Sequence, residues 1–527
     1  VSVLIPKIIH QTWKTHQVPE NCLAYVETWK KLHPEWEYKL WSDQELEKFV
    51  ALNYPDFLPI FRGYGAGVQR ADAGRYLLLD HFGGVYSDID TECLVSFDGL
   101  CDEDRIVFCT EPQNHFGQVG RPRGFKRLIF NGTMASPKNR PFWAHLVMAL
   151  EKNRAALSVL DSTGPYILSR SVETYQDQPA LSISSAHLFC GREVRGTPLP
   201  EARFGDYGDR DMSVHHWMGS WYLKEKYPFT DKIESYVRSW IYNAKKGPQY
   251  KPVVDPEILK MPLQKLTGKE EIAVLIPVRD GVPFLERCLE LLNNLDWPKK
   301  QLHVAFCEGD SVDGTAALIS QLVKANSFGF ASFRIIHKLV GTVFERDLRW
   351  LAKLQKSRRG GLAQVRNHLI DNALPATVDW ALWIDVDVNN YPRDVLRQLL
   401  ALNEKIVVPH CVRDDGTGIT FDQNSFATVY DWRDTYYFKK IVDGLYQPPP
   451  DCFRRIRLQD VRYLDRISLN GVGGTMLLVH ASVHRAGVRF PQLPYKDLIE
   501  TEAFGQLARD HGITPVGLPN LLITHPA

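Results

Sequence analysis

The chain has 527 residues, 44% of them apolar and 24% charged, with a formal net charge of +1. That length favours two or three domains, and the near-neutral balance excludes a nucleic-acid binder driven by bulk charge. No apolar run approaches the roughly 18–20 residues of a membrane span, and the start, Val1-Ser2-Val3-Leu4-Ile5-Pro6, lacks the basic-then-apolar layout of a signal peptide.

The first residue is not Met, so the expectation of a cytoplasmic protein stands beside that of a membrane-associated one whose anchor was trimmed upstream. Nine cysteines, Cys22, Cys93, Cys101, Cys109, Cys190, Cys288, Cys307, Cys411 and Cys452, form no Cys-x-x-Cys pair. They read as scattered reduced thiols rather than a disulfide framework.

Residues 6–13 predict a first strand ending in polar residues, followed by a helix over 23–32 and a strand over 36–41. Ser42-Asp43-Gln44-Glu45 has the layout of a capping box opening the next helix. The alternation predicts an α/β domain with a mainly parallel sheet, whose ligands sit at the carboxyl ends of the strands. His10 would lie there as a donor-binding residue, although a capping or packing role suits it equally.

The apolar residues of 69–82 cluster as a helix face stopped by Gly83-Gly84. Asp72 and Arg75, three apart, neighbour each other on that helix. Next comes Gly83-Gly84-Val85-Tyr86-Ser87-Asp88-Ile89-Asp90. Residues i and i+2 of an extended segment project to one side, so Asp88 and Asp90 can share a task. Two hard carboxylates at a strand end suit Mg²⁺ or Mn²⁺, a cation that also takes oxygens of a diphosphate. An acid and a guanidinium beside it could hold sugar hydroxyls and phosphate oxygens.

Ile5-Pro6-Lys7-Ile8-Ile9-His10-Gln11-Thr12-Trp13, the Asp72/Arg75 helix and the 83–90 segment together resemble glycosyltransferase family 32, the Och1-like enzymes. The resemblance continues through Asn131-Gly132-Thr133-Met134-Ala135-Ser136, Thr163-Gly164-Pro165 and His215-His216-Trp217-Met218-Gly219-Ser220-Trp221, and covers about residues 4–222. It implies a GT-A fold, a nucleotide-sugar donor, a divalent metal and retention of anomeric configuration. It leaves the donor sugar open and puts Asn131 on the donor side. His215 and His216 are both metal-ligand candidates, because two carboxylates leave coordination positions open and neutral imidazole suits Mn²⁺.

Residues 231–243 form an amphipathic segment carrying charges and aromatics together, and 245–252 are rich in helix breakers. This reads as a linker or a peripheral membrane contact. The boundary falls near residue 250, giving domains over 1–250 and 251–527.

Ile272-Ala273-Val274-Leu275-Ile276-Pro277-Val278-Arg279-Asp280 restarts a strand leading into a polar loop, with Pro277 and Arg279 at its donor-side end. A helix over 285–295 and a strand over 302–307 follow, ending in Glu308-Gly309-Asp310-Ser311-Val312-Asp313-Gly314-Thr315. Asp310 or Asp313 presents a carboxylate to a nucleoside or caps the next helix. Gly360-Gly361-Leu362-Ala363-Gln364-Val365-Arg366 precedes Trp380-Ala381-Leu382-Trp383-Ile384-Asp385-Val386-Asp387, as the Asp72/Arg75 helix precedes the first acidic pair. Asp385 and Asp387 thus repeat the carboxylate motif. In Asn470-Gly471-Val472-Gly473-Gly474-Thr475, Gly473 and Gly474 let backbone approach a ligand or a turn. Glu500 and Glu502 open a further helix.

These residues resemble glycosyltransferase family 62, the Anp1/Mnn9/Van1 group, over about 271–525, most closely in the last third. The resemblance implies a GT-A fold, GDP-mannose, Mn²⁺, an α-mannosyl product and retention. It makes Asp385 and Asp387 the metal motif, His525 the distal metal ligand and Arg366 a donor contact. Residues 411–457 do not match, so acceptor and linkage stay open.

The reading is α/β, two tandem GT-A domains. It makes the chain a bifunctional, metal-dependent glycosyltransferase adding sugars in succession to a glycan, glycolipid or glycoprotein acceptor. Each half would hold one Mn²⁺ or Mg²⁺ and a nucleotide-sugar donor, with GDP-mannose in the second and no nucleic-acid partner. Arg75 and Arg366 would stabilise developing charge, and Asp72, Glu500 and Glu502 are the carboxylates with candidate direct roles. The alternatives are one active half beside a scaffold, a sugar-binding module without turnover, and a haloacid-dehalogenase phosphatase. The last keeps its acidic pair near the domain start, unlike either pair here.

Overall fold

A computed structural model of the protein describes residues 4–116, 120, 123–193, 197–218, 229–245, 247–341, 351–428, 441–447 and 455–526. Gly219, Ser220, Trp221, Cys452 and parts of the unmatched 411–457 stretch lie outside them. The chain divides into two compact units, Val1–Lys226 and Tyr227–Ala527. Residues 229–250 therefore group with the second unit, through a bond from the Tyr242 hydroxyl to Asp497 and one from the Tyr250 N–H to the Pro494 carbonyl.

In the first unit, β1 (Ile8–Trp13), β2 (Glu37–Ser42), β3 (Gly84–Ser87), β5 (Ile106–Cys109), β6 (Thr133–Ser136) and β7 (Leu181–Ser184) make one sheet in the order β2-β1-β3-β6-β5-β7. Only β6 runs against the others, pairing antiparallel with both β3 and β5. β4 (Thr91–Cys93) leaves the sheet and pairs with β8 (Ser213–His215), Thr91 opposite His215.

Local chemistry sets these elements. The capping box forms as expected: the Glu45 N–H donates to Ser42 Oγ at 3.3 Å and the Ser42 N–H to Glu45 Oε2 at 2.9 Å, starting the Asp43–Asn53 helix. The Gly67–Phe82 helix ends at Gly83, and Gly83 and Gly84 have φ of +67° and +94°. A Cβ on Gly84 would lie 2.5 Å from the Ile8 carbonyl, so glycine is what lets β3 fold back against β1. Trp29 on the Glu20–Leu32 helix is fully buried and donates its indole N–H to the Thr91 carbonyl at 2.8 Å. That bond ties an apolar anchor to the segment just after Asp90.

The second unit is built around β9 (Ile272–Val278), β10 (Leu302–Glu308), β11 (Ser332–His337), β12 (Trp380–Ile384), β13 (Ile406–Arg413), β18 (Ile467–Ser468), β19 (Met476–His480) and β20 (Val516–His525). Their order is β11-β10-β9-β12-β19-β13-β20-β18. Two small ribbons, β14 (Phe426–Thr428) with β17 (Arg455–Arg457) and β15 (Ile441–Val442) with β16 (Leu445–Tyr446), stand beside it. Every residue of β9 is buried, as a strand covered on both faces requires.

The two sheets share one arrangement. The strand that ends in an acidic pair, β3 or β12, has a parallel neighbour on one side and an antiparallel one on the other. Both units are thus α/β with a mixed sheet. Among the described residues no helix is long and apolar enough to cross a membrane. The eight described cysteines are free thiols, all buried except the half-buried Cys101.

Candidate functional site

In the first unit three side chains gather where β3 ends. His215 Nε2 lies 3.1 Å from Asp90 Oδ1 and 3.7 Å from Asp88 Oδ2, and one ligand atom from each residue falls within 4.8 Å of the others. The β4–β8 pairing delivers His215 to this place. His216 points elsewhere, to Glu92 at 3.0 Å, with its ring stacked on Tyr25. The loop is braced by backbone: the Asp88 N–H donates to the Gly132 carbonyl and the Met218 N–H to Asp90 Oδ2.

Behind the carboxylates sits Arg75, 4% exposed. Its Nη2 is 2.9 Å from Asp72 and 3.2 Å from Asp88, and Nη1 donates to the Asn131 carbonyl at 2.7 Å. Asp72 also accepts from the Asn131 amide and the Thr163 hydroxyl. Tyr86 donates to Asp88 at 3.0 Å and lies under the Arg75 guanidinium. Asn131 therefore acts behind the acidic pair, holding Asp72 and Arg75.

Charge explains the protonation of this cluster. Burial pushes Asp72 up to about 6, with Arg75 opposing. Burial also acts on Asp90, but the His215 charge and the Met218 N–H outweigh it and hold Asp90 at about 2. Against its own burial, His215 is raised to about 9 by Asp90 and Asp88. The pocket calls for positive charge, and two carboxylate oxygens with one imidazole nitrogen are a donor set that suits Mn²⁺. The residues fit a divalent cation held by Asp88, Asp90 and His215.

Of the two roles open to His10, donor binding and packing, its surroundings match packing. It is fully buried, its Nε2 donates to the Gly83 carbonyl at 3.0 Å, and its Nδ1 accepts from the Trp41 indole at 3.2 Å. Both nitrogens are spent on fixing the turn into β3, and burial lowers its pKa to about 4.

In the second unit, Arg366 on the Gln355–Ala373 helix places Nη2 3.1 Å from Asp385 and Nε 3.0 Å from Glu500. His525, at the end of β20, has Nε2 3.1 Å from Asp387 and stacks on Phe421. An Asn389 N–H bond to the Thr524 carbonyl brings that strand end to the acidic loop. Each unit thus pairs an arginine with its first acid and a distal histidine with its second. The likeness is incomplete. Among the described residues Asp385, Asp387 and His525 do not converge as the first trio does. Burial raises Asp385, helped by the charges of Asp387, Asp422 and Glu500, while Arg366 opposes.

The remaining expected residues have the following protein contacts. Pro277 is buried in β9, and Arg279 is exposed with its Nε 3.4 Å from Asp280. Asp310 accepts the Val340 and Gly341 N–H groups at 2.9 and 3.1 Å, joining the ends of β10 and β11. Asp313 accepts the Thr315 N–H, the capping alternative. Gly474 gives its carbonyl to Arg366 and leaves room for that side chain, and Gly473 leaves room for the Asp422 carboxylate. Glu502 accepts from Arg359 at 3.0 Å and Arg455 at 2.8 Å.

Sequence reasoning missed Arg359, Arg455 and Asp422. Arg359 is seven residues before Arg366 and so on the same helix face, a signal that helical periodicity carries. Asp422 and Arg455 come from the unmatched stretch and had no such signal.

Residues 19–107 match the family model of a glycosyltransferase sugar-binding region containing a DXD motif, and residues 255–494 match the Anp1 family model. The chain thus matches two family models in tandem, the first of them described as a glycosyltransferase sugar-binding region.

Inositol phosphoceramide mannosyltransferase 2 of Schizosaccharomyces pombe is 39% identical to it over 180 residues, 33% of this chain and 48% of that protein. Mannosyl phosphorylinositol ceramide synthase CSH1 of Saccharomyces cerevisiae is 33% identical over 171 residues, 32% of this chain and 42% of that protein. The chain thus spans about half the length of these relatives. The mannan polymerase complex subunit mnn9 of Schizosaccharomyces pombe is 28% identical over 329 residues, 57% of this chain and 92% of that protein. The mannosyltransferase PcManGT from Pyrobaculum calidifontis, solved with GDP-Man and Mn²⁺, overlaps 56% of this chain and 65% of its own at 14% identity. Its TM-score of 0.29 is too slight to bear on fold or function.

The DXD-family match takes in Asp72, Arg75, Asp88 and Asp90 but stops well before His215. The Anp1 match takes in Arg359, Arg366, Asp385 and Asp387 but stops before Glu500, Glu502 and His525. In both regions the distal histidine comes from outside the matched residues.

Proposed function

We propose that the chain is a bifunctional glycosyltransferase of GT-A type, each unit moving a hexosyl group from a nucleotide sugar to a glycan or glycolipid acceptor. The second unit is read as an α-mannosyltransferase using GDP-mannose, and both as retaining. The observation that carries this is the repeated pairing at the exit of equivalent strands: Arg75–Asp88 with His215–Asp90, and Arg366–Asp385 with His525–Asp387. The mannosyltransferase names of the relatives support mannose as a transferred sugar.

Asp88, Asp90 and His215 would hold one divalent cation and Asp385, Asp387 and His525 another. When bound, such a cation supplies positive charge for the departing nucleoside diphosphate. The protein groups have their own tasks. Arg75 and Arg366 orient the first carboxylate of each pair and add positive charge beside it. The Met218 N–H and His215 keep Asp90 ionised and aimed. The looser second trio favours one rival reading, in which only the first unit turns over.

The test is a panel of nucleotide sugars incubated with the intact protein, with and without Mn²⁺. GDP-mannose consumption that needs Mn²⁺ and stops on chelation is expected. No consumption of any donor under any divalent cation would sink the reading.

An acceptor at a lipid surface fits one further feature. The Phe229–Lys245 helix exposes Ile233, Tyr236, Val237, Trp240 and Ile241, a stripe at i, i+3, i+4, i+7 and i+8, while Tyr242 on the opposite side bonds to Asp497. Trp and Tyr favour the headgroup boundary, and Lys245-Lys246 follow in the sequence. Sedimentation with phosphatidylcholine/phosphatidylserine vesicles should lose at least about tenfold in affinity on Tyr236→Ser/Trp240→Ser, the cost of about 1.4 kcal/mol or more of lost burial. Equal sedimentation of both proteins would refute a membrane role for the stripe.

A further inference from the structure

Arg366 is fixed differently from its counterpart Arg75. Arg75 has a carboxylate three residues back on its own helix, Asp72, which binds it directly. The residue three before Arg366 is Ala363, so its helix offers no such partner. The counter-charge comes instead from Glu500, the first residue of the Glu500–Asp510 helix. A carboxylate brought from a separate element needs fixing of its own.

That fixing is visible. Arg359 and Arg366 stand seven residues apart on one helix face, about 10 Å along its axis. The two glutamates fill the space between and beyond them. Glu500 gives Oε1 to Arg366 at 3.0 Å and Oε2 to Arg359 Nε at 3.5 Å. Glu502 gives Oε2 to Arg359 Nη1 at 3.0 Å and Oε1 to Arg455 Nη1 at 2.8 Å. Arg359 Nη2 also donates to the Ile499 carbonyl at 3.0 Å, and Arg455 lies over the Phe426 ring at 3.9 Å. The result is a largely buried chain, Arg455–Glu502–Arg359–Glu500–Arg366, that ends on the partly exposed Asp385, with three guanidinium groups against three carboxylates.

Two physical points argue that this chain sets geometry. Buried ion pairs pay a desolvation cost that offsets much of their attraction, so a ladder this long is poor evidence for stability. Glu500 has φ +55°, a left-handed conformation that a residue with a Cβ adopts only when its surroundings hold it there. The Glu500 N–H is tied to the Pro491 carbonyl, and Arg359 adds to that hold by bonding Glu500, Glu502 and the Ile499 carbonyl just before them.

The geometry points to Arg359 as a positioning residue of the second unit, braced by Arg455, that keeps Glu500 on Arg366 and so keeps Arg366 on Asp385. This rests on the reading of that unit as a GDP-mannose-dependent transferase. Outer partners of this kind affect affinity or activity by about 10–100-fold when removed.

The experiment compares Arg359→Met, Arg359→Lys and Asp385→Asn with the parent in the full chain, by kcat and KM for GDP-mannose, by calorimetric affinity for GDP with Mn²⁺, and by thermal melting. Arg359→Met is expected to lower kcat about 10–100-fold and GDP affinity about tenfold. Arg359→Lys keeps the buried charge and the fold but cannot span both glutamates, so it should recover only part of each loss. Unchanged kcat and GDP affinity in Arg359→Met, with Asp385→Asn inactive, would overturn this inference alone. Loss that only follows the folded fraction, with Arg359→Lys fully active, would overturn it as well. An Asp385→Asn protein as active as the parent would bring down both this inference and the reading of the unit.

Discussion

Replacing Asp88 and Asp90 together by alanine is expected to abolish turnover of one nucleotide sugar by at least about 10³-fold and to spare turnover of another. The Asp385→Ala/Asp387→Ala protein should show the converse, with GDP-mannose the donor it loses. The magnitude follows from several kcal/mol of charge stabilisation at the departing diphosphate, each 1.4 kcal/mol being worth about tenfold in rate. Fold should survive, because both pairs lie at strand ends with partly exposed side chains, 26% for Asp88 and 34% for Asp385. Donor consumption and transfer by the three proteins, with melting curves as a check, decide it. If one double variant equals the parent on every donor, the unit carrying those changes is a scaffold and the bifunctional reading is wrong.

Arg75 carries the second large effect, and it separates charge from shape. Its guanidinium lies among Asp72, Asp88 and the Asn131 carbonyl, almost fully buried. Arg75→Met leaves two carboxylates facing each other without a cation between them. Breaking a buried pair in this way costs about 3–5 kcal/mol, so the urea midpoint of the first unit should fall clearly. Arg75→Lys keeps the charge, but an ammonium cannot reach all three acceptors as a planar fork does. It should therefore unfold closer to the parent, yet lose about 10²-fold in turnover of the first unit's donor. A methionine variant with parental stability and turnover would show the bridge to be dispensable.

Much of this site was readable without coordinates wherever the signal is local. Asp88 and Asp90 project together because alternate residues of an extended chain do, and Asp72 and Arg75 meet because helix positions three apart are neighbours. The capping box at Ser42 and Glu45 depends on four consecutive residues. Local rules left the role of His10 open. His10 sits on a strand within the site's sheet, but whether a strand residue faces a ligand or a turn depends on what packs on it, here Gly83 and Trp41.

The rest was decided by pairings between distant segments. His215 and His216 are adjacent in sequence and indistinguishable by spacing. The antiparallel match of Thr91 with His215 puts one ring beside Asp90, and alternation along the strand sends the other to Glu92. His525 reaches Asp387 only through β20 and its bond to the acidic loop. The ladder from Arg455 to Asp385 joins four separate segments, and no local pattern encodes where those segments meet. By itself the sequence determined the two acidic pairs and the helices before them, since each follows from backbone periodicity over a few residues, while the tandem order came from the family resemblances of the two halves. Only the tertiary structure decided which histidine lies beside each pair and how Arg366 is held, because strand pairing and burial bring together charges that are far apart along the chain.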